Sequence, residues 1–135
     1  MNKYLFTLVL LLALLLTACG GSAGPATTID VTMTEFTFTP TAFTVPVGQE
    51  ITVNAQNTGA VIHNFVIMKL NTTVGEDFDA ADEGNIYWQL EIQPGAQATG
   101  TFTAPSEPGD YQVVCRTPGH YVAGMIATLT VVAGE

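Results

Sequence analysis

Positive charge is almost missing from this chain. Lys and Arg together number 3, against 12 Asp and Glu, for a formal net charge of -9. With so little to offset phosphate repulsion, nucleic acid is excluded as a partner. Histidine is as scarce, with only His63 and His120, so no site that needs three or more imidazoles can be built from this chain. Cysteine occurs twice, at Cys19 and Cys115, which allows at most one disulfide. The apolar run Tyr4–Leu16 falls short of the about 20 residues a membrane-spanning helix needs. No segment carries a sustained helical period, which argues against a helical domain.

The N-terminus reads as a targeting segment. Lys3 supplies a short positive start, the leucine-rich run follows, and Leu16-Thr17-Ala18-Cys19-Gly20 closes it with small residues. Residues 1–18 are therefore expected to be a signal peptide. The ending resembles the lipobox of bacterial lipoproteins, in which the cysteine receives lipid and becomes the mature N-terminus. That resemblance implies lipidation at Cys19 and a small, flexible tether over residues 19–28. It also implies an extracytoplasmic protein anchored to a bacterial membrane by its N-terminal lipid, without a spanning helix.

Lipidation of Cys19 leaves Cys115 without a disulfide partner. An odd cysteine in an exported protein is either a reactive thiol or a metal ligand. Oxidation would damage an exposed free thiol there, so coordination is the more economical account. Removal of Lys3 leaves Lys69 and Arg116 against all 12 acidic residues. An acidic coat of this kind aids solubility and suits a partner with a basic docking face.

From Ile29 onward the pattern becomes that of short strands separated by turns. Ile29, Val31 and Met33 alternate with polar residues, and the alternation shifts at Glu35, as at a β-bulge. Phe43–Gly48 contains Pro46 and reads as an edge segment. Ile51–Asn57 alternates cleanly and ends in the turn Asn57-Thr58-Gly59. Val61–Met68 is mostly apolar but interrupted by His63-Asn64, polar groups that a buried strand must hydrogen-bond or ligate. Lys69–Gln93 is least legible: Glu76, Asp77, Asp79, Asp82 and Glu83 read as a solvated face, with a short helix allowed in the 70–90 region. Ala98–Ala104, Tyr111–Cys115 and Met125–Val132 read as further strands. These short, turn-punctuated strands predict an all-β fold, an antiparallel Greek-key β-sandwich, over residues 29–135.

Between the last two strands lies Cys115-x4-His120-x4-Met125. A thiolate, an imidazole and a thioether on one loop suit a soft, redox-active metal better than acid–base chemistry. His63 is the remaining imidazole. Two imidazoles and a thiolate in a plane, with a weak axial thioether, serve both Cu(I) and Cu(II) with little rearrangement. His63, Cys115, His120 and Met125 match that set in type and number. Taken singly, His63 also reads as a satisfied core histidine and Met125 as core packing; together with a partnerless Cys115 they read as one site.

From about Ile29 to Val132 the sequence resembles the cupredoxins, the small blue copper proteins, and within them the auracyanin and plastocyanin-like carriers. The resemblance rests on His63-Asn64-Phe65, on Pro108-Gly109-Asp110-Tyr111 leading into Cys115, and on Pro118-Gly119-His120 before Gly124-Met125. Four residues separate Cys115 from His120, as in auracyanin- and rusticyanin-type members rather than plastocyanins. The resemblance implies one type 1 copper per chain, with His63 and His120 binding through nitrogen, Cys115 through sulfur and Met125 axially. It gives Asn64 the role of tying the two ligand-bearing segments together, and Tyr111 that of a sandwich corner tyrosine.

The implied function is that of a monomeric, membrane-tethered one-electron carrier rather than an enzyme. Its partners would be redox proteins, either a cytochrome or a membrane electron-transfer complex. The alternative is copper storage or delivery through the same ligands. Copper nitrite reductases and multicopper oxidases need histidines for a second copper centre, and both histidines here are already assigned.

Overall fold

The strand His63–Met68 is buried at every position, and the fold is most easily followed from it. A computed structural model describes residues 24–134 of the chain; residues 1–18, expected to be a signal peptide, and Cys19, expected to carry lipid, lie outside the described residues. Among the described residues there are nine strands, in chain order: β1 Thr28–Thr34, β2 Thr37–Thr39, β3 Ala42–Pro46, β4 Glu50–Asn57, β5 His63–Met68, β6 Ile86–Ile92, β7 Gln97–Thr103, β8 Gly109–Val114 and β9 Ile126–Val132. They form a four-stranded sheet ordered β2-β1-β4-β7 and a five-stranded sheet ordered β3-β9-β8-β5-β6. Among the described residues no helix is long and apolar enough to cross a membrane.

The all-β sandwich is as expected, with one correction. The sheets are mixed, because β1 pairs parallel to β4 and β3 pairs parallel to β9. Alternation of apolar and polar residues reports which face of a strand is buried; it carries no information about the direction of the neighbour. β3 lies at the edge of its sheet, where Pro46 ends the strand without interrupting a ladder.

Two local expectations also change. The shift at Glu35 is a two-residue reversal rather than a bulge: Thr34 pairs with Thr37 across it, and Phe36 takes a left-handed φ of 65°. The illegible 70–90 region holds a three-residue 3-10 turn, Glu83–Asn85, and then the edge strand β6. In β6 polar Gln89 and Glu91 face solvent while Trp88 and Leu90 pack on the core.

The core lies between the sheets. Ile29, Val31, Met33, Ile51 and Val53 from one sheet meet Phe65, Ile67, Val113, Leu129 and Val131 from the other. Phe65 makes edge-to-face contacts with Phe38 and Phe43, at centroid distances of 5.8 and 5.5 Å; each such pair adds about 0.5–1.5 kcal/mol beyond area burial. These rings fix β5 two residues from His63. The outer face of β5 is covered as well. Val66 and Met68 pack with Val74 and Val114 beneath Phe78, Ile86 and Tyr121, so the segment between β5 and β6 acts as a third layer.

Candidate metal centre

Period-two alternation assembles most of the site before any loop is considered. On β5, His63 shares the inward face with Phe65 and Ile67; beyond β8, Cys115 continues the inward series Tyr111, Val113. Met125 precedes Ala127, Leu129 and Val131 on the inward face of β9. Since β9, β8 and β5 are neighbours, three of the four expected side chains start from one end of one sheet. His120 comes from the connecting loop.

That loop is closed by its own backbone. Cys115 N donates to Met125 O at 3.3 Å, Met125 N to His120 O at 2.9 Å, and His120 N to Thr117 O at 3.0 Å. Gly119 and Gly124 hold φ values of 81° and 97°, conformations at which a side chain would be strained. The backbone of Met125 is thus fastened to both other loop residues of the set.

His63, Cys115 and His120 converge, all three buried, with their ligand atoms within 4.8 Å of one another. Cys115 Sγ lies 3.8 Å from His63 Nδ1 and 3.6 Å from His120 Nδ1. For comparison, metal bonds of about 2.0 Å to nitrogen and 2.3 Å to sulfur, opened to a trigonal angle, put the two donors roughly 3.7 Å apart. The spacing therefore fits a single metal ion shared by the three donors. The donor set of two borderline imidazoles and one soft thiolate suits copper. Met125 is fully buried beside them in sequence and backbone pairing.

The surroundings prepare these groups for ligation. Burial pushes the His63 imidazole below its usual range, helped by repulsion from His120 and opposed by Glu35. A neutral imidazole is the form that binds metal. Asn64 N points at Cys115 Sγ at 3.5 Å, a donor able to stabilise thiolate charge. The Asn64 amide donates to Thr117 Oγ1 at 3.3 Å, and Thr117 Oγ1 donates to Ile62 O at 2.7 Å. Asn64 and Thr117 together tie the start of β5 to the ligand loop. Tyr111 is buried and its hydroxyl donates to Glu107 O at 2.8 Å, a corner contact at the other end of β8.

Several neighbours of the site were not singled out from sequence. Phe36 stands edge-on to His120, with centroids 5.2 Å apart. The acidic stretch, read above as a solvated face, in fact grips the ligand loop: Asp77 Oδ2 accepts from Gly119 N at 3.2 Å, and Glu83 pairs with Arg116 at 3.2 Å. Asp82 is buried and accepts from Asp79 N. Acidic side chains there are consumed by backbone donors and by one cation, which composition alone cannot distinguish from solvation.

Comparison with known proteins agrees with this geometry. A family model described as copper binding proteins, plastocyanin/azurin family, matches residues 25–132. The chain is 32% identical over 126 residues to auracyanin-B of Chloroflexus aurantiacus, an alignment covering 79% of this chain and 53% of that protein. The chain thus spans about half the length of this curated relative. Among solved structures, dithionite-reduced auracyanin from Roseiflexus castenholzii is 37% identical with a TM-score of 0.67, over 81% of this chain and 99% of that one. Auracyanin A of Chloroflexus aurantiacus, described as a "blue" copper protein, is 30% identical with a TM-score of 0.64, over 81% and 100% of the two chains. The converging His63, Cys115 and His120, the sandwich that carries them and the matched span lead to one conclusion: this chain belongs to the plastocyanin/azurin family of copper-binding proteins, on its auracyanin-like side.

Proposed function

We propose that the protein is a mononuclear type 1 copper protein that carries single electrons between redox partners, with His63, Cys115, His120 and Met125 as its ligands. The observation that carries this reading is the buried triangle of His63 Nδ1, Cys115 Sγ and His120 Nδ1, with sulfur-to-nitrogen distances of 3.8 and 3.6 Å. When bound, copper supplies a centre that accepts and releases one electron, and the rigid donor set limits the rearrangement that accompanies it. The chain's own contribution is to hold the donors in place and keep water out. Cys115, His63 and Met125 are each 0% exposed.

His120 is the ligand nearest solvent, at 6%. Around it Phe36, Val61, Ile62 and Val122 are exposed apolar side chains on the loops at this end of the sandwich. An apolar rim of this kind allows a brief, close encounter of the small size typical of weak redox complexes. The partners are redox proteins, a cytochrome or a membrane electron-transfer complex, with a basic face matching the acidic surface. The lipid at Cys19 tethers the carrier to its membrane on the extracytoplasmic side. With both histidines of the chain in one site, a non-enzymatic role is the economical reading.

The experiment that separates electron transfer from copper delivery mixes the reduced protein with an oxidised acceptor protein and, separately, with a Cu(I) chelator. The carrier reading expects fast electron exchange and retention of copper through repeated cycles, in keeping with the buried ligands. Rapid handover of copper to the chelator, with slow electron exchange, would replace it with a delivery role.

A further inference from the structure

One polar atom of the site is unsatisfied. Nε2 of His63, the ring nitrogen that faces away from Cys115, is buried without a hydrogen-bond partner among the described residues. Ligand histidines ordinarily place that second nitrogen against a carboxylate, carbonyl or water. On the far side of it stands Glu35. A Cβ added at Gly59 would lie 2.8 Å from His63 Nε2 and 2.6 Å from Glu35 Oε1, so the two polar atoms are close neighbours beside a position that has room only for a glycine.

Glu35 is held there by more than chance. It forms the β1–β2 reversal with Phe36, whose φ of 65° turns its ring onto His120. The Glu35 carboxylate accepts a hydrogen bond from Ala60 N at 2.5 Å, fastening the reversal to the loop that leads into β5. That bond, followed by its own backbone amide, lowers the Glu35 pKa below the usual carboxylate value. An exposed negative charge, anchored at Ala60 N, therefore stands near the outer nitrogen of His63 and acts electrostatically on both His63 and His120.

We infer that Glu35, given room by Gly59, is a tuning residue of the copper site: its carboxylate, close to the unpartnered Nε2 of His63, favours the more positively charged, oxidised state of the metal. The inference rests on the type 1 copper reading above. It predicts that neutralising this one side chain raises the reduction potential while leaving the four ligands in place.

The test is redox titration of the copper-loaded protein, wild type against Glu35→Gln, which keeps the acceptor oxygen for Ala60 N and removes the charge. Glu107→Gln serves as the control, since it makes the same change in net charge beyond the opposite end of β8. Glu35→Gln should shift the Cu(I)/Cu(II) ratio at fixed potential toward Cu(I) by about fivefold, equivalent to about 40 mV upward at 59 mV per tenfold. The visible charge-transfer band and the melting temperature of the metal-free protein should stay close to wild type, and Glu107→Gln should move the potential by less than a third as much. Should Glu35→Gln fail to fold, Glu35→Ala carries the same test, because it removes the same charge at an exposed position and should shift the potential in the same direction. An unchanged or lowered potential, or equal shifts for Glu35→Gln and Glu107→Gln, overturns the inference while leaving the copper reading intact. A wild-type protein without the charge-transfer band overturns both.

Discussion

Met125 differs from its three companions in what its loss should do. An axial thioether is a weak ligand that adjusts the potential rather than securing the metal. Met125→Leu keeps nearly the same volume in a fully buried position, a swap that costs less than about 1.5 kcal/mol. The variant should therefore fold, retain copper and show a higher reduction potential, because a donor to Cu(II) is gone; redox titration beside a thermal melt reads both effects. At this scale the convergence of His63, Cys115 and His120 was legible in the sequence, since a chain with two histidines and two cysteines leaves few choices. Glu35, Gly59 and Phe36 were not. Glu35 and Phe36 reach the site through a chain reversal whose only trace in the sequence was an interrupted alternation, and Gly59 through the turn after β4; neither a carboxylate nor a glycine at such a point announces what it faces.

At the scale of elements, the segment between β5 and β6 fixes the ligand loop. Val74 N donates to Gln112 Oε1 at 2.9 Å, the Tyr121 hydroxyl donates to Val74 O at 2.9 Å, Asp77 receives Gly119 N, and Glu83 pairs with Arg116. The ion pair is surface-exposed, with side chains 32% and 54% accessible, and such pairs contribute roughly 0–1 kcal/mol. The Asp77 bond goes to backbone beside a ligand, where one charge-assisted hydrogen bond is worth about 1.5 kcal/mol. Asp77→Ala should thus cost about 1.5 kcal/mol of stability by denaturant titration and speed copper release to a chelator severalfold. Arg116→Ala should do little to either. Equal effects from both variants would assign the clasp to the ion pair instead. The strands β4, β7, β8 and β9 were legible to within a residue or two because β4, β7 and β9 alternate over their whole length and β8 over most of it. β6 was hidden by the acidic stretch before it, and the parallel pairings of β1 with β4 and β3 with β9 have no local signature at all.

For the whole molecule, scarcity shaped the outcome as much as the residues present. Two histidines permit one copper centre, and few cations leave an acidic surface interrupted at the His120 end by Phe36, Val61, Ile62 and Val122. The sandwich supplies rigidity: β5, pinned by the Phe38–Phe65–Phe43 cluster and covered on its outer face, holds His63 while β8 and β9 hold Cys115 and Met125. Rigid elements are what keep a donor set within the tolerance a redox site needs.

The central claim is that Cys115, together with His63 and His120, would hold copper and would bind it as a thiolate. It is tested most directly by the absorption and paramagnetic-resonance spectra of the copper-loaded protein, wild type against Cys115→Ser. The wild type should show an intense visible thiolate-to-copper charge-transfer band, bleached reversibly by a mild reductant and absent from Cys115→Ser. A colourless Cu(II)-loaded wild type, or a band that survives Cys115→Ser, would contradict it.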